Sequence, residues 1–158
     1  HVKVSEELFS ASKTEFKHLE YFYFHNFLYE RVWRDNRRGR NEFLPTWEVL
    51  NTYSSDYKVI FVGDATMSPY EISEPGGSVE HWNDESGAVW FQRMLEQFPD
   101  TIWLNPESPE RWPQTMSTQL IYKLISGRMF PMTLNGLDRA MDTLRKRNRS
   151  TLQPILAH

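Results

Sequence analysis

Asp64 is the residue whose placement most invites chemistry. It follows Val59-Ile60-Phe61-Val62-Gly63 and is followed closely by Thr66 and Ser68. A continuous apolar, β-branched run that stops at Gly and Asp reads as a strand buried on both faces of a parallel sheet. In open α/β sheets, ligands bind just past the carboxyl ends of the strands. Asp64 is thus a carboxylate at the functional end of a strand, with two hydroxyls close by. Hard cations such as Mg²⁺ select oxygen ligands of this kind. The plainer reading is a strand-to-helix turn in which Thr66 or Ser68 caps the following helix.

A second constellation, Glu80-His81-Trp82-Asn83, lies in a long loop after Gly76-Gly77. Loops of that length beside a site contact partners, or pack as surface loops anchored by a ring such as Trp82. Glu80 and His81 have no third ligand at a spacing that suits zinc. His18 and His25 flank an aromatic run and read as buried, hydrogen-bonded histidines. The Arg-rich runs at residues 31–40 and 145–149 read as solvated faces or tails, with a docking patch for an acidic partner as the minority reading. Gly63-Asp64-Ala65 lacks the Gly and Lys of a phosphate-binding loop. There is no Gly-x-Ser-x-Gly elbow and no thiol nucleophile.

These residues sit in a chain of 158 residues, enough for one domain with a substantial core. The net charge of −3 argues against a nucleic-acid-binding role, which favours a basic domain. With no Cys there is no disulfide framework, which fits a cytoplasmic protein. No apolar run approaches the length of a membrane span. Aromatic residues make up 15% of the chain, which predicts a ring-rich core.

The elements that must position Asp64 follow from periodicity and punctuation. Val2 to Lys17 has helical spacing, and His18 to Phe27 reads as a strand with aromatic residues on both faces. Tyr29 to Trp33 is a short edge strand and Asp35 to Arg40 a loop. Thr46, after the breaker Pro45, reads as the N-cap of a helix from Trp47 to Tyr53. The strand before Asp64 leads into a long loop turned by Pro75-Gly76-Gly77. Asn83 or Asp84 caps the next helix, which Pro99 ends. Thr101 to Leu104 is a strand, and residues 105–113 form a loop. A helix runs from Thr115 or Ser117 to Ile125, closed by Gly127 at its C′ position. Arg128 to Pro131 is the last strand. Thr133 caps a helix with Leu137, Ala140, Met141 and Leu144 on one face, and from Lys146 the chain frays. Alternation of this kind predicts a doubly wound α/β sheet.

Several segments in fixed order are together distinctive: Glu20-Tyr21-Phe22-Tyr23-Phe24-His25-Asn26, Trp33-Arg34-Asp35-Asn36, Pro45-Thr46-Trp47, residues 62–70, residues 76–83 and Trp103-Leu104-Asn105-Pro106. They resemble bacterial von Willebrand factor type A (vWA) proteins of the CoxE-like group, from Val2 to about Arg147. The resemblance implies a Rossmann-like vWA fold, a mostly parallel sheet with helices on both faces. Residues 1–148 would be the C-terminal portion of that domain and 149–158 a tail. It also implies a metal-ion-dependent adhesion site (MIDAS) holding Mg²⁺, or Mn²⁺ or Ca²⁺. Asp64 matches one ligand element of that site. Thr46 matches a second, although the usual preceding glycine is absent. The Asp-x-Ser-x-Ser-type element is missing, and the expectation is that its strand and loop lie upstream of His1. The site within these residues is then incomplete.

The leading functional expectation is a non-enzymatic protein–protein interaction module with metal ligands Asp64 and Thr46. Thr66, Ser68, Glu80, His81 and Trp82 are its candidate partner-binding residues. The resemblance implies an accessory or assembly factor serving a client enzyme with a MoxR-type AAA+ ATPase. Self-association is a further possibility, as one way to fill the place of the missing strand. The rival is a Mg²⁺-dependent phosphatase-like hydrolase, since Val-Gly-Asp at a strand end also resembles a haloacid-dehalogenase motif. That chemistry needs a second, nucleophilic Asp, which the strand ends at Asn26, Asn105 and Pro131 do not offer. A structural α/β domain with a degenerate site is the third reading.

Overall fold

The apolar runs at residues 59–62 and 101–105 pair side by side in parallel, and this pairing organises the chain. The computed structural model describes residues 20, 22–24, 27–29, 31–34, 43–76 and 85–150, the stretch 146–150 by its backbone alone. The expected helix from Val2 to Lys17, both candidate histidines of the aromatic run, the loop at residues 35–40 and the tail beyond Ser150 lie outside the described residues. In chain order the elements are β1 (Arg31–Trp33), β2 (Phe43–Pro45), α1 (Thr46–Thr52), β3 (Val59–Val62), α2 (Pro69–Ser73), α3 (Gly87–Gln97), β4 (Thr101–Asn105), a 3₁₀ turn (Pro109–Gln114), α4 (Met116–Leu124), β5 (Met129–Pro131) and α5 (Leu134–Ser150).

The protein is a mixed α/β structure whose three-stranded parallel sheet has the order β3-β4-β5 and is flanked by helices. The arrangement is compatible with a Rossmann-like fold. β1 and β2 form a separate antiparallel ribbon, with Val32 opposite Leu44. The sequence expectation missed β2, because Phe-Leu-Pro is too short to show a period. The expected strand from His18 to Phe27 is not continuous among the described residues. Tyr23 makes an isolated antiparallel bridge to Trp33 instead.

The period of two in each strand divides the side chains between two cores. Phe61, Trp103 and Met129 lie in register on one face, where they join Phe27, Phe91, Ile121 and Ile125. Ile102, Leu104 and Phe130 point the other way, onto Ala140 and Leu144 of α5. The first face is largely aromatic. The Phe61 and Trp103 rings stack with centroids 5.4 Å apart, and Phe91 meets both rings edge-on. All of β4 is buried, as expected for a strand covered on both faces and paired on both sides.

Helix boundaries depart from the sequence expectation where caps compete. Thr46 is the first residue of α1, not its N-cap; Pro45 holds the cap position without a side-chain bond. The α3 cap is Ser86, whose hydroxyl accepts from the Val89 amide, in place of Asn83 or Asp84. At the end of α4 the left-handed C′ residue is Ser126, and Gly127 is one further on. The Ser126 amide bonds to the Lys123 carbonyl and the Gly127 amide to that of Tyr122, which is the double bond pattern of a Schellman motif. Thr133 does hold α5 as expected, its hydroxyl accepting from the Gly136 amide at 3.0 Å. The backbone of α5 continues past Lys146 to Ser150.

Gly136 packs so closely on β5 that an added Cβ would stand 2.0 Å from the Pro131 carbonyl oxygen. No Cβ tolerates that distance, so Gly136→Ala must push α5 off the sheet. The expected loss is about 1–3 kcal/mol of stability, read as a lower urea midpoint at unchanged slope.

Candidate functional site

Gly63 and Asp64 leave the sheet at the carboxyl end of β3. The Gly63 amide still donates to the Leu104 carbonyl at 3.1 Å, so the strand pairing holds up to the residue before Asp64. The Gly63 carbonyl accepts from the Trp103 indole Nε1 at 2.8 Å. Asp64 is therefore presented from a backbone fixed on both sides by β4.

The loop then closes on itself. Asp64 Oδ1 accepts from the Thr66 amide at 3.0 Å, an Asx turn. The Thr66 hydroxyl donates to the Asp64 carbonyl at 3.3 Å. Among the described residues, Asp64 Oδ2 accepts no hydrogen bond. Ala65, between them, is buried and has φ of 59°. That left-handed conformation costs a residue with a Cβ roughly 1–2 kcal/mol. It is held from outside: the Ala65 carbonyl accepts from Ser117 Oγ at 2.7 Å and from Thr118 Oγ1 at 3.1 Å. Ser117 Oγ also accepts from the Met67 amide at 3.0 Å. The first turn of α4 thus clamps the loop through two buried hydroxyls.

Ser68 ends the loop as the N-cap of α2. Its hydroxyl accepts from the Tyr70 amide at 3.3 Å, and Glu71 Oε2 accepts from the Ser68 amide at 3.0 Å. This is a capping box, the structural role weighed for Ser68 from the sequence. Asp64, Thr66 and Ser68 therefore share one short loop, as their spacing required.

Thr46 stands apart from it. Its side chain is fully buried, and its hydroxyl donates to the Tyr29 carbonyl at 2.5 Å. The Tyr29 hydroxyl in turn donates to the Glu71 carbonyl at 2.6 Å. Thr46 thereby reaches α2 through Tyr29, and among the described residues no hydrogen bond joins it to Asp64. Glu80, His81 and Trp82 lie outside the described residues.

Sequence reasoning missed several residues that shape the loop. Ser117 and Thr118 were legible only as the start of a helix, although small hydroxyl residues at a first turn are a recurring means of holding a neighbouring loop. Asn105, buried at the end of β4, makes the same turn as Asp64: its Oδ1 accepts from the Glu107 amide at 2.9 Å. Both strands thus end in an Asx turn, and only at β3 is the accepting side chain itself a carboxylate.

The donors the Asp64 loop offers are all oxygens, with one carboxylate among them. Among the described residues no three His, Cys, Asp or Glu side chains gather at one place. A softer metal that needs imidazole or thiolate ligands has no match in the loop. A hard cation would take one anionic ligand here and fill its shell with hydroxyls, water or oxygens from elsewhere. No helix among the described residues is long and apolar enough to cross a membrane.

No protein-family model matches this chain, and neither a curated protein nor a solved structure matches it.

Removing the Ser117 hydroxyl strips the Met67 amide and the Ala65 carbonyl of a partner together. Ser117→Ala is expected to cost about 1–3 kcal/mol in chemical denaturation. Faster amide exchange at Met67 than at Val59 would locate the loss in the loop. A variant as stable as the parent would show that the clamp is not needed.

Proposed function

We propose that the loop after β3 is a divalent-cation adhesion site, and that the chain is a non-enzymatic module that binds another protein through it. The observation that carries this reading is Asp64 itself. Its carboxylate stands at the carboxyl end of a parallel strand, the place where open α/β sheets take ligands. One of its oxygens is fixed by the Thr66 amide, and the other accepts no hydrogen bond among the described residues. A carboxylate held still by one oxygen presents the other at little entropic cost.

In this reading Asp64 is the anionic ligand, and the hydroxyls of Thr66 and Ser68 line the loop beside it. Thr46 is the second ligand implied by the likeness to CoxE-like vWA proteins. Its hydroxyl proton is engaged by the Tyr29 carbonyl, and its oxygen lone pairs are what a cation would take. A cation such as Mg²⁺, Mn²⁺ or Ca²⁺ with a single anionic ligand retains charge, and an acidic side chain of a partner would neutralise it. Binding without turnover fits the strand ends, because Asn105 and Pro131 supply no second carboxylate to act as a nucleophile. The same likeness suggests a partner: a MoxR-type AAA+ ATPase, or the client enzyme that such a pair assembles.

Asp64→Asn is the informative variant. It keeps an oxygen for the Thr66 amide and so preserves the turn, while removing the charge. Titration of the parent chain with Mn²⁺, followed by paramagnetic broadening, is expected to bleach the Thr66 and Ser68 amide signals first. In the variant the affinity should fall at least about tenfold, a change of about 1.4 kcal/mol. Equal binding by the two proteins would move the cation elsewhere. No binding by either would leave a scaffold with a degenerate site.

A further inference from the structure

Glycine follows asparagine once in this chain, at Asn135-Gly136. The pair lies in the first turn of α5. Thr133 caps that helix, so Leu134, Asn135 and Gly136 are its first three residues. Asn135 is exposed, and among the described residues its side-chain amide has no hydrogen-bond partner. Gly136 is buried against β5, where an added Cβ would collide with the Pro131 carbonyl. Packing therefore demands a glycine here, and that has a chemical side effect. A residue without a Cβ leaves its own amide nitrogen open to the side chain that precedes it.

We propose that Asn135 is a site of self-modification by deamidation, gated by the first turn of α5. The Gly136 nitrogen attacks Cγ of Asn135. A new C–N bond closes a five-membered imide, and the side-chain nitrogen leaves as ammonia, taking the Gly136 amide proton. Water then opens the imide at either carbonyl, giving aspartate or isoaspartate, with no oxidant or reductant involved. The closed helix denies both conditions for attack. The Gly136 amide is engaged by the Thr133 hydroxyl at 3.0 Å, and a helical ψ at Asn135 is far from the extended value that ring closure needs. The Leu137 amide, bonded to the Thr133 carbonyl at 2.8 Å, keeps the turn shut. Reaction waits for that turn to open, and its rate is the rate of a free peptide multiplied by the open fraction.

The two products have opposite effects on α5. Aspartate adds a negative charge to the first turn of a helix, where the macrodipole favours it. Isoaspartate routes the main chain through the former side chain and lengthens it by one carbon just ahead of Gly136. The displaced Gly136 must then move against the Pro131 carbonyl, where no space is left. The first product keeps α5 seated. The second loosens it, without return, from Ile102, Leu104 and Phe130.

Ageing of the whole chain at mildly alkaline pH, followed by tryptic mapping, tests this. The fragment Met129–Arg139 holds the bond, and electron-transfer fragmentation tells aspartate from isoaspartate. A synthetic peptide of the same sequence supplies the ungated rate. The chain should convert at least about tenfold more slowly than the peptide. Urea should raise its rate before the global unfolding transition begins. Thr133→Ala frees the Gly136 amide and should speed conversion about fivefold, while Thr133→Ser keeps the parent rate. In the isoaspartate fraction the Ala140 and Leu144 amides should exchange faster than in Asn135→Asp, which is expected to be as stable as the parent. If Thr133→Ala does not fold, the urea dependence of the parent chain still decides. Conversion in native buffer as fast as in the peptide overturns the gate, and so does conversion confined to urea above the global transition. Unchanged exchange at Ala140 and Leu144 in the isoaspartate fraction overturns the consequence drawn for α5.

Discussion

The hydrogen bond from the Trp103 indole to the Gly63 carbonyl joins the core of this protein to its candidate site. Trp103 is fully buried in the middle of the central strand, stacked on Phe61 and met edge-on by Phe91. A ring so confined has little freedom, and its one polar atom reaches the last carbonyl before Asp64. Strand pairing alone would fix Gly63 through its amide. The indole fixes the other side of the same residue, so the direction in which Asp64 leaves the sheet is set by core packing.

Beyond that point the loop stores strain and is held from its flanks. Ala65 adopts a left-handed conformation in a buried position, where a glycine would be the cheaper residue. Its carbonyl receives two hydroxyl donors from α4, and net contributions of about 1 kcal/mol from each are enough to offset the conformational cost. The Asx turn at Asp64 and the capping box at Ser68 then use up most of the remaining polar groups. Among the described residues, one carboxylate oxygen of Asp64 accepts no hydrogen bond. An arrangement of this kind suits a site that must hold its shape before a ligand arrives.

Much of this was legible in the sequence, because it depends on short-range pattern. The Val59–Val62 run, its stop at Gly-Asp, the strand at Thr101 and the Thr133 cap are all written in neighbouring residues. The Asp64, Thr66 and Ser68 cluster came together because its members lie within one loop. Errors arose where several residues of the same chemistry competed. Asn83, Asp84 and Ser86 are all good caps, and only tertiary placement picks Ser86. Thr46 after Pro45 has the look of a cap, yet a distant acceptor, the Tyr29 carbonyl, captures its hydroxyl. The clamp by Ser117 and Thr118 spans some fifty positions along the chain, and no local pattern announces a bond of that range. Short strands such as Phe43–Pro45 are set by their partner across the ribbon.

The division of the interior into two separate clusters has a bearing on how the molecule comes apart. The apolar residues that flank the Asp64 loop, Trp103, Ala65 and Ile121, belong to the aromatic cluster. α5 packs against the opposite face, on Ile102, Leu104 and Phe130, and among the described residues it contributes none to that cluster. A helix seated on its own small core is a natural unit of sub-global opening. Its release would bare the aliphatic side of the sheet while the aromatic side stayed closed. The Asp64 loop, clamped by α4 on the other face, is then expected to open later than α5 does.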